Sequence, residues 1–347
     1  MENNEPHILV IRLSAMGDVA MTVPVLINLT QQYPTLKITV LTRKFFTPLF
    51  ADIPNVKVFV ADVKGKHKGL LGLYTLFKEL KNQHITAVAD LHNVLRSRIL
   101  KQYFGLTKIP FKQIDKGRAE KKALTTATDK VFKQLRTTHQ RYADVFNNLG
   151  YPINIDSNAR LFKNELSNAT LSLVGMDTKK WIGIAPFAAF QGKIYPLSLM
   201  KAVVKKLDNT NEYKILFFGG KDDEVILDDW EQMFQNGINM AGKLQFTEEL
   251  ALISNLDIMI AMDSGNAHLS AMYGIPTVTI WGVTHPFAGF YPFGQDLNNA
   301  LLSDRVKYPK IPTSVYGNKF PDGYENVMET ITPTMVFDKI LKVLSSD

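Results

Sequence analysis

The stretch DIMIAMDSGNAHLSAMYGIPTVTIWG, Asp257–Gly282, holds two short apolar runs, DIMIAMDS and TVTIWG, with the helical pattern NAHLSAMYG between them. A strand, a helix and a second strand in this order make a parallel pair, because the helix is what returns the chain to the same end of the sheet. Each run is apolar at nearly every position rather than alternating, so the sheet is covered on both faces.

The same unit recurs on either side of this stretch. Upstream, WIGIAPF (Trp181–Phe187) and YKILFFGG (Tyr213–Gly220) are apolar runs that end in Pro or Gly loops; the helical pattern LSLMKAVVKKLD joins them, and DDEVILDDWEQMF and TEELALISN lead on to Asp257. The first half has its own series, HILVIRL (His7–Leu13), KITVLTR (Lys37–Arg43), VKVFVAD (Val56–Asp62) and TAVADLH (Thr86–His92), with helical patterns such as LLGLYTLFKELKNQ between them. Two such series imply an α/β protein of two Rossmann-like, doubly wound parallel-sheet domains facing a cleft. A chain of 347 residues is also too long for one ordinary hydrophobic core. The pattern HQRYADVFNNLG reads as a helix ending on Gly150, a residue suited to the position after a helix. The linker is expected between Gly150 and Lys179, and the domains at 1–165 and 166–330. Residues 331–347 read as a terminal helix, with Thr332 as cap and Pro333 at the first helical position, expected to pack back on the first domain.

Composition narrows the chemistry. With 46% hydrophobic and 21% charged residues, neither disorder nor a fibrous repeat is indicated. The absence of cysteine removes disulfides, zinc-thiolate sites and thiol nucleophiles. No run reaches the roughly 18 apolar residues of a spanning helix, and the start MENNEPH lacks the basic and apolar regions of a leader, so a cytoplasmic protein is expected.

In parallel sheets ligands bind beyond the carboxyl ends of the strands, and the distinctive polar clusters fall there. At Asp263, Ser264 and Gly265 a strand runs into a helix start. Gly265 would let a phosphate approach the backbone, the Ser264 hydroxyl and the free helix amides would donate to it, and His268 would point near the same anion. Read alone, Asp263 is equally a helix cap and His268 a buried hydrogen-bonding residue. A nicotinamide-dependent oxidoreductase is a competing reading, opposed by the lack of G-x-G-x-x-G after the first strand, where only Gly17 is found. A nucleotide-sugar-binding protein without catalysis is another.

The Asp-Ser-Gly-x-x-His motif, followed by a small-residue helix, Gly-x-Pro and an apolar strand, resembles the nucleotide-sugar site of the heptosyltransferases, glycosyltransferase family 9. The opening IRLSAMGDVAMTVPVL (Ile11–Leu26) is similar to that family's amino-terminal signature. So are ADLHNVLRS (Ala89–Ser97), the Lys-x-Tyr-Pro of Lys193–Pro196, the GGKDDE loop ending at Glu224, and AGKLQFTEELA (Ala241–Ala251). The resemblance implies the glycosyltransferase B fold and an inverting, metal-independent transfer of a heptose or related sugar from an ADP-sugar to a lipopolysaccharide core acceptor. It implies Asp18 as general base, with Lys193, Glu224, Leu244, Asp263, Ser264, Gly265 and His268 at the donor, and no metal or other cofactor. Ser14 and Gly17 fall in the same signature and are assigned to the acceptor. By the residues alone, Asp18 could instead cap the following helix, Lys193 be a solvated loop lysine and Leu244 ordinary core. One departure is FAAFQGK, where Ala188 and Ala189 stand in place of the family's hydroxyl residues beside the donor phosphates.

Charge points to the acceptor. Residues 1–165 hold 25 Lys plus Arg against 13 Asp plus Glu, and the remainder 15 against 20. The excess centres on Arg96–Arg141, where thirteen basic residues face three acidic ones. This stretch reads either as a solvated helical face or as a surface that meets an anion. Under the resemblance the anion is a glycolipid bearing Kdo carboxylates and lipid phosphates, met by Arg96, Arg98 and Arg118, with the protein held peripherally on the anionic inner face of the inner membrane. No nucleic-acid motif accompanies the stretch.

Overall fold

The computed structural model describes residues 5–175 and 177–345. Part of the segment read for a leader, Met1–Asn4, and the last two residues of the terminal helical pattern lie outside the described residues. The strands are β1 (His7–Ile11), β2 (Lys37–Thr42), β3 (Val56–Val60), β4 (Ala87–Asp90), β5 (Phe111–Gln113), β6 (Lys180–Ala185), β7 (Tyr213–Phe217), β8 (Gly237–Asn239), β9 (Ile258–Met262), β10 (Thr277–Trp281) and β11 (Ala300–Leu302). They form two sheets, ordered β3-β2-β1-β4-β5 and β11-β10-β9-β6-β7-β8, with every pair parallel. The doubly wound parallel architecture read from the sequence is therefore present twice. In each sheet the strand order reverses once, between β1 and β4 and between β6 and β9, and the loops after those strands diverge to leave a crevice.

The three short strands β5, β8 and β11 were not expected. Each is three residues long at an outer position of its sheet, where partial exposure demands no long apolar run.

The chain divides into two compact units. Unit 1 comprises residues 1–116 and 138–161, and unit 2 comprises 117–137 and 162–347. A single cut near residue 165 does not reproduce this division, because residues 117–137 leave the first series and join the second unit. There Leu124 and Leu135 pack with Phe132, Phe287, Ala288 and Phe290. The Leu135 amide donates to the Phe287 carbonyl at 2.9 Å. The Lys130 ammonium donates to the carbonyls of Leu124 (2.8 Å) and Pro312 (2.7 Å), and the Arg305 guanidinium lies 3.4 Å over the Phe132 ring. By unit, Lys plus Arg against Asp plus Glu is 18 to 10 in unit 1 and 22 to 23 in unit 2. The basic excess is a property of unit 1 and is smaller than the half-chain count suggests.

The terminal helix, Pro333–Leu344, belongs to unit 2. Its stripe Val336, Ile340 and Leu344 is buried in the core that also holds Met200, Val203, Val204 and Leu207 of the helix Leu197–Asp208. That stripe finds its apolar partners within its own unit. The cap read from sequence is present, with the Thr332 hydroxyl accepting from the Met335 amide at 3.2 Å. Among the described residues no helix is long and apolar enough to cross a membrane. We expect Ile340→Ala to destabilise unit 2 by about 2–5 kcal/mol and Thr332→Ala by about 1 kcal/mol. Urea denaturation checks both, and a stability unchanged in Ile340→Ala would detach the helix from the core.

Candidate active site

In unit 1 the loop after β1 runs directly into a five-residue helix, Met16–Ala20, whose cap position is Ala15. Asp18 is therefore not the cap that one reading of the sequence allowed. Its Oδ2 takes the Arg12 guanidinium at 2.5 Å and a long contact of 3.4 Å from the Ala15 amide. Both contacts are to Oδ2, and among the described residues Oδ1 has no partner. Arg12 is buried and held by a 2.7 Å bond to the Leu91 carbonyl, so it fixes the carboxylate rather than following it. The fully buried Tyr142 donates to the Asp18 main-chain carbonyl at 3.2 Å. Burial pushes the Tyr142 phenol well above its ordinary range, so it stays a donor.

The second loop of this crevice follows β4. Asp90 is fully buried, accepting from the His92 and Asn93 amides at 2.9 Å each and from the Gln113 side chain at 2.7 Å. That turn sets His92 under the β1 loop, where its Nε2 lies 3.5 Å from the Ser14 hydroxyl. Burial, and then the charges of Arg12 and Lys116, pull the His92 imidazole down to about 3. Arg96 and Arg98 are exposed on the helix Leu95–Phe104, and the Arg98 Nε donates to the Asn93 side chain at 3.0 Å. Arg118 does not join them, for it lies on the helix Arg118–Thr125 of unit 2. Arg141 and Lys121 are buried, so the basic stretch is not one solvated face.

In unit 2 the loops after β6, β7, β8 and β9 carry every residue assigned to the donor, all at the carboxyl edge of one sheet. Asp263 is buried. Its Oδ2 accepts from the Lys193 ammonium at 2.8 Å and from the Thr284 hydroxyl at 3.0 Å, and Lys193 also donates to the Asp263 carbonyl at 3.0 Å. Lys193 is thus a half-buried, ion-paired residue and not a solvated loop lysine. The Ser264 hydroxyl and the Asn266 Oδ1 are buried without a hydrogen-bond partner among the described residues. His268 sits buried in the helix Gly265–Ala271. Glu224 opens the helix Glu224–Met233, and Leu244 is half-buried before the helix Phe246–Ile253. Gly242 has φ +72°, and a Cβ there would lie 2.9 Å from the Glu224 Oε2, so only glycine leaves that carboxylate its place.

Sequence reading missed the support of Lys193. Gly317, also at positive φ, receives the lysine stem, since a Cβ there would lie 2.5 Å from the Lys193 Cγ. The Gly192 amide donates to the Gly317 carbonyl at 3.1 Å, and the Val283 amide to that of Gly192 at 2.9 Å. The same loop is tied to residues 117–137 through Lys130, whose ammonium is drawn down to about 8 by burial and by Arg305. Arg305 itself donates to the Ile311 carbonyl at 3.0 Å. His285, beside Phe132, is held down to about 4 by burial and then by Arg305. Positive-φ glycines in a Pro- and Gly-rich stretch were the available signal for Gly317; Thr284 had none. Among the described residues no group of three or more His, Asp or Glu gathers that could hold a metal ion.

A family model described as glycosyltransferase family 9 (heptosyltransferase) matches residues 73–316. The lipooligosaccharide heptosyltransferase 2 of Haemophilus influenzae is 25% identical, over 98% of this chain and 99% of its own. The crystal structure of a glycosyl transferase family 9 protein from Veillonella parvula DSM 2008 is similar at a TM-score of 0.77 and 21% identity, covering 100% of this chain and 99% of that one. The structure of the Escherichia coli ADP-heptose lps heptosyltransferase II is similar at a TM-score of 0.70 and 18% identity, over 98% and 99%. These two structures share the two-sheet architecture, the glycosyltransferase B fold.

His92 and His285 stay neutral in the folded protein, while in the unfolded chain both return to their ordinary value of 6.5. Below that pH the unfolded state binds more protons, so this stability is complete above about 6.5 and is lost as pH falls toward about 4. We expect a loss on the order of 2 kcal/mol per histidine at pH 5. Denaturation at pH 7 and pH 5 should show a smaller loss in the His92→Gln, His285→Gln double variant, and an equal loss would remove the histidines from the account.

Proposed function

The chain belongs to glycosyltransferase family 9, the heptosyltransferases, and we propose that it moves a heptose or related sugar from an ADP-sugar to an anionic lipopolysaccharide-type acceptor, with Asp18 as the base. The observation that carries this reading is the Asp18 carboxylate, anchored through Oδ2 by the buried Arg12 and left with Oδ1 unpartnered among the described residues. Oδ1 takes the proton of the acceptor hydroxyl as that oxygen bonds to the anomeric carbon. The bond from that carbon to the diphosphate breaks with its electron pair going to ADP, and the configuration inverts. Membership of the family sets aside the nicotinamide-dependent reading.

Charge developing on the departing diphosphate falls to Lys193 and the amides that open the helix at Gly265. Lys193 spends two of its three donor positions on Asp263 and keeps the third for the phosphates. Glu224 suits the ribose hydroxyls and Leu244 the base. Ser264, buried and unpaired in this state, reaches a phosphate only if the loop shifts. Ser14, Gly17, Arg96 and Arg98 belong to the acceptor, which supplies the anion that the basic excess of unit 1 suits. Arg118 is assigned to the same anion on charge alone. The protein works at the inner face of the inner membrane without spanning it.

With ADP-heptose and a Kdo-containing acceptor, Asp18→Asn should lower turnover by a factor on the order of 10² or more while donor affinity is kept. Near-normal turnover in the folded variant would remove Asp18 as base. Lys193→Ala should raise the donor Michaelis constant and slow transfer, because its contact strengthens as the leaving group gains charge. EDTA should change nothing; inhibition reversed by magnesium would overturn the metal-free reading.

A further inference from the structure

In unit 1 two neighbouring helices begin at the carboxyl edge of the sheet, Gly69–Lys81 after β3 and Leu95–Phe104 after β4. They pack on each other through Phe77 against Phe104, ring centroids 5.1 Å apart, and Tyr74 against Tyr103 at 5.4 Å. Their inward stripe is complete, with Leu73, Leu76, Phe77 and Leu80 of the first helix and Leu100 and Phe104 of the second in the core. Yet their first turns also carry leucines that no core takes up. Leu70 is 63% exposed, Leu71 85% and Leu95 74%. A lone exposed leucine is ordinary, but three at the starts of two adjoining helices along one sheet edge are not scattered.

The charges among them are one-sided. The loop before the first helix presents Lys64 and Lys68, and the second helix presents Arg96 beside Leu95, all exposed and in no ion pair among the described residues. This loop is built rather than slack. The Asp62 carboxylate accepts from the Gly65 and Lys66 amides at 2.9 Å each, the buried His67 accepts the Asp62 amide at 3.1 Å, and Glu79 takes both His67 (3.2 Å) and Lys66 (2.7 Å). The local acids are therefore spent inside the loop, and Lys64 and Lys68 face outward on a fixed frame. Gly72 completes it, since a Cβ there would lie 2.5 Å from the His67 carbonyl carbon.

Exposed leucines set beside unpaired cations match an interface that is apolar below and anionic above. A protein partner would have to supply acids in register with each cation, whereas a layer of anionic headgroups over acyl chains meets all of them without register. We infer that the edge formed by Leu70, Leu71 and Leu95 with Lys64, Lys68 and Arg96 docks unit 1 on the surface of an anionic lipid bilayer, the leucines entering the headgroup region. This rests on the proposed glycolipid acceptor, and it accounts for the placement of the edge. The loop bearing Asp18 follows β1 at the same carboxyl end, so docking there sets the base toward the surface that holds the acceptor's lipid.

Sedimentation with vesicles of phosphatidylcholine, alone or with roughly one quarter phosphatidylglycerol, tests this with the full chain. Wild type should bind the anionic vesicles and not the neutral ones, with binding weakened at high salt. The Leu70→Ser, Leu71→Ser, Leu95→Ser variant should lose at least about tenfold in partition, as should Lys64→Gln, Lys68→Gln at low salt. Should the triple variant fold poorly, Leu71→Ser alone, the most exposed position, should still lose several-fold. On a soluble, deacylated acceptor the leucine variant should turn over as wild type does, and on vesicle-embedded acceptor it should fall behind. Absence of wild-type binding to anionic vesicles, or equal binding by the leucine variant, overturns the docking edge. So does self-association that the leucine variant abolishes without vesicle binding, which would give the edge to a second copy. A wild type inactive on the soluble acceptor would instead overturn the proposed acceptor, a separate outcome.

Discussion

Parallel pairing is the constraint from which the rest of this molecule follows. A strand that must pair with a parallel neighbour needs a return segment, so each sheet sends its strand ends into loops at one edge and takes its chain back through helices. Because both faces are covered by those helices, the strands are apolar throughout, and polar groups are pushed to the carboxyl edge. There the reversal of strand order, at β1 and β4 in one unit and at β6 and β9 in the other, opens the loops where Arg12, Asp18 and His92, and Lys193 and Asp263, are found.

Those edges handle charge in the same way. A carboxylate near the interior is tolerable only when it is paired and its remaining lone pairs are met. Asp263 is met by Lys193 and Thr284, and Asp90 by two amides and Gln113. Asp90 is met on both oxygens, whereas the side-chain contacts of Asp263 and of Asp18 each fall on Oδ2, and Asp18 lies nearer the surface.

The central strands and the motifs at their ends were legible because each is an apolar run that stops abruptly at a polar residue. Asp18, Lys193, Glu224 and Asp263 could be placed at strand ends on that basis, and all four were tied to roles by resemblance. The edge strands β5, β8 and β11 were not legible, since three residues at an outer position leave no periodic trace. The pairing of Arg12 with Asp18, and the seat that Gly317 gives Lys193, join residues that are near in space through different loops, which no local pattern encodes. The terminal helix was correctly read as a helix with its cap, but periodicity states only that a stripe must be buried, not against what.

Residues 117–137 show why a charge count along the chain misleads. Their six basic residues were credited to the first half, yet they fold with unit 2, where two of them are engaged by a ring or by carbonyls. Lys121 lies 4.1 Å over the Phe290 ring, Lys130 is bonded to two carbonyls, and Arg136 presents its own carbonyl where a Cβ on Gly289 would come within 2.7 Å. Lys130 and Arg305 bond the adjacent carbonyls of Pro312 and Ile311, in the loop that leads to Gly317 and the stem of Lys193. Burial near a second cation weakens the hold of Lys130 on its proton, a cost that the two carbonyl bonds offset. A segment from the middle of the first half is thus part of what shapes the loop around Lys193, and unit 2 is complete only with residues that precede most of it in sequence.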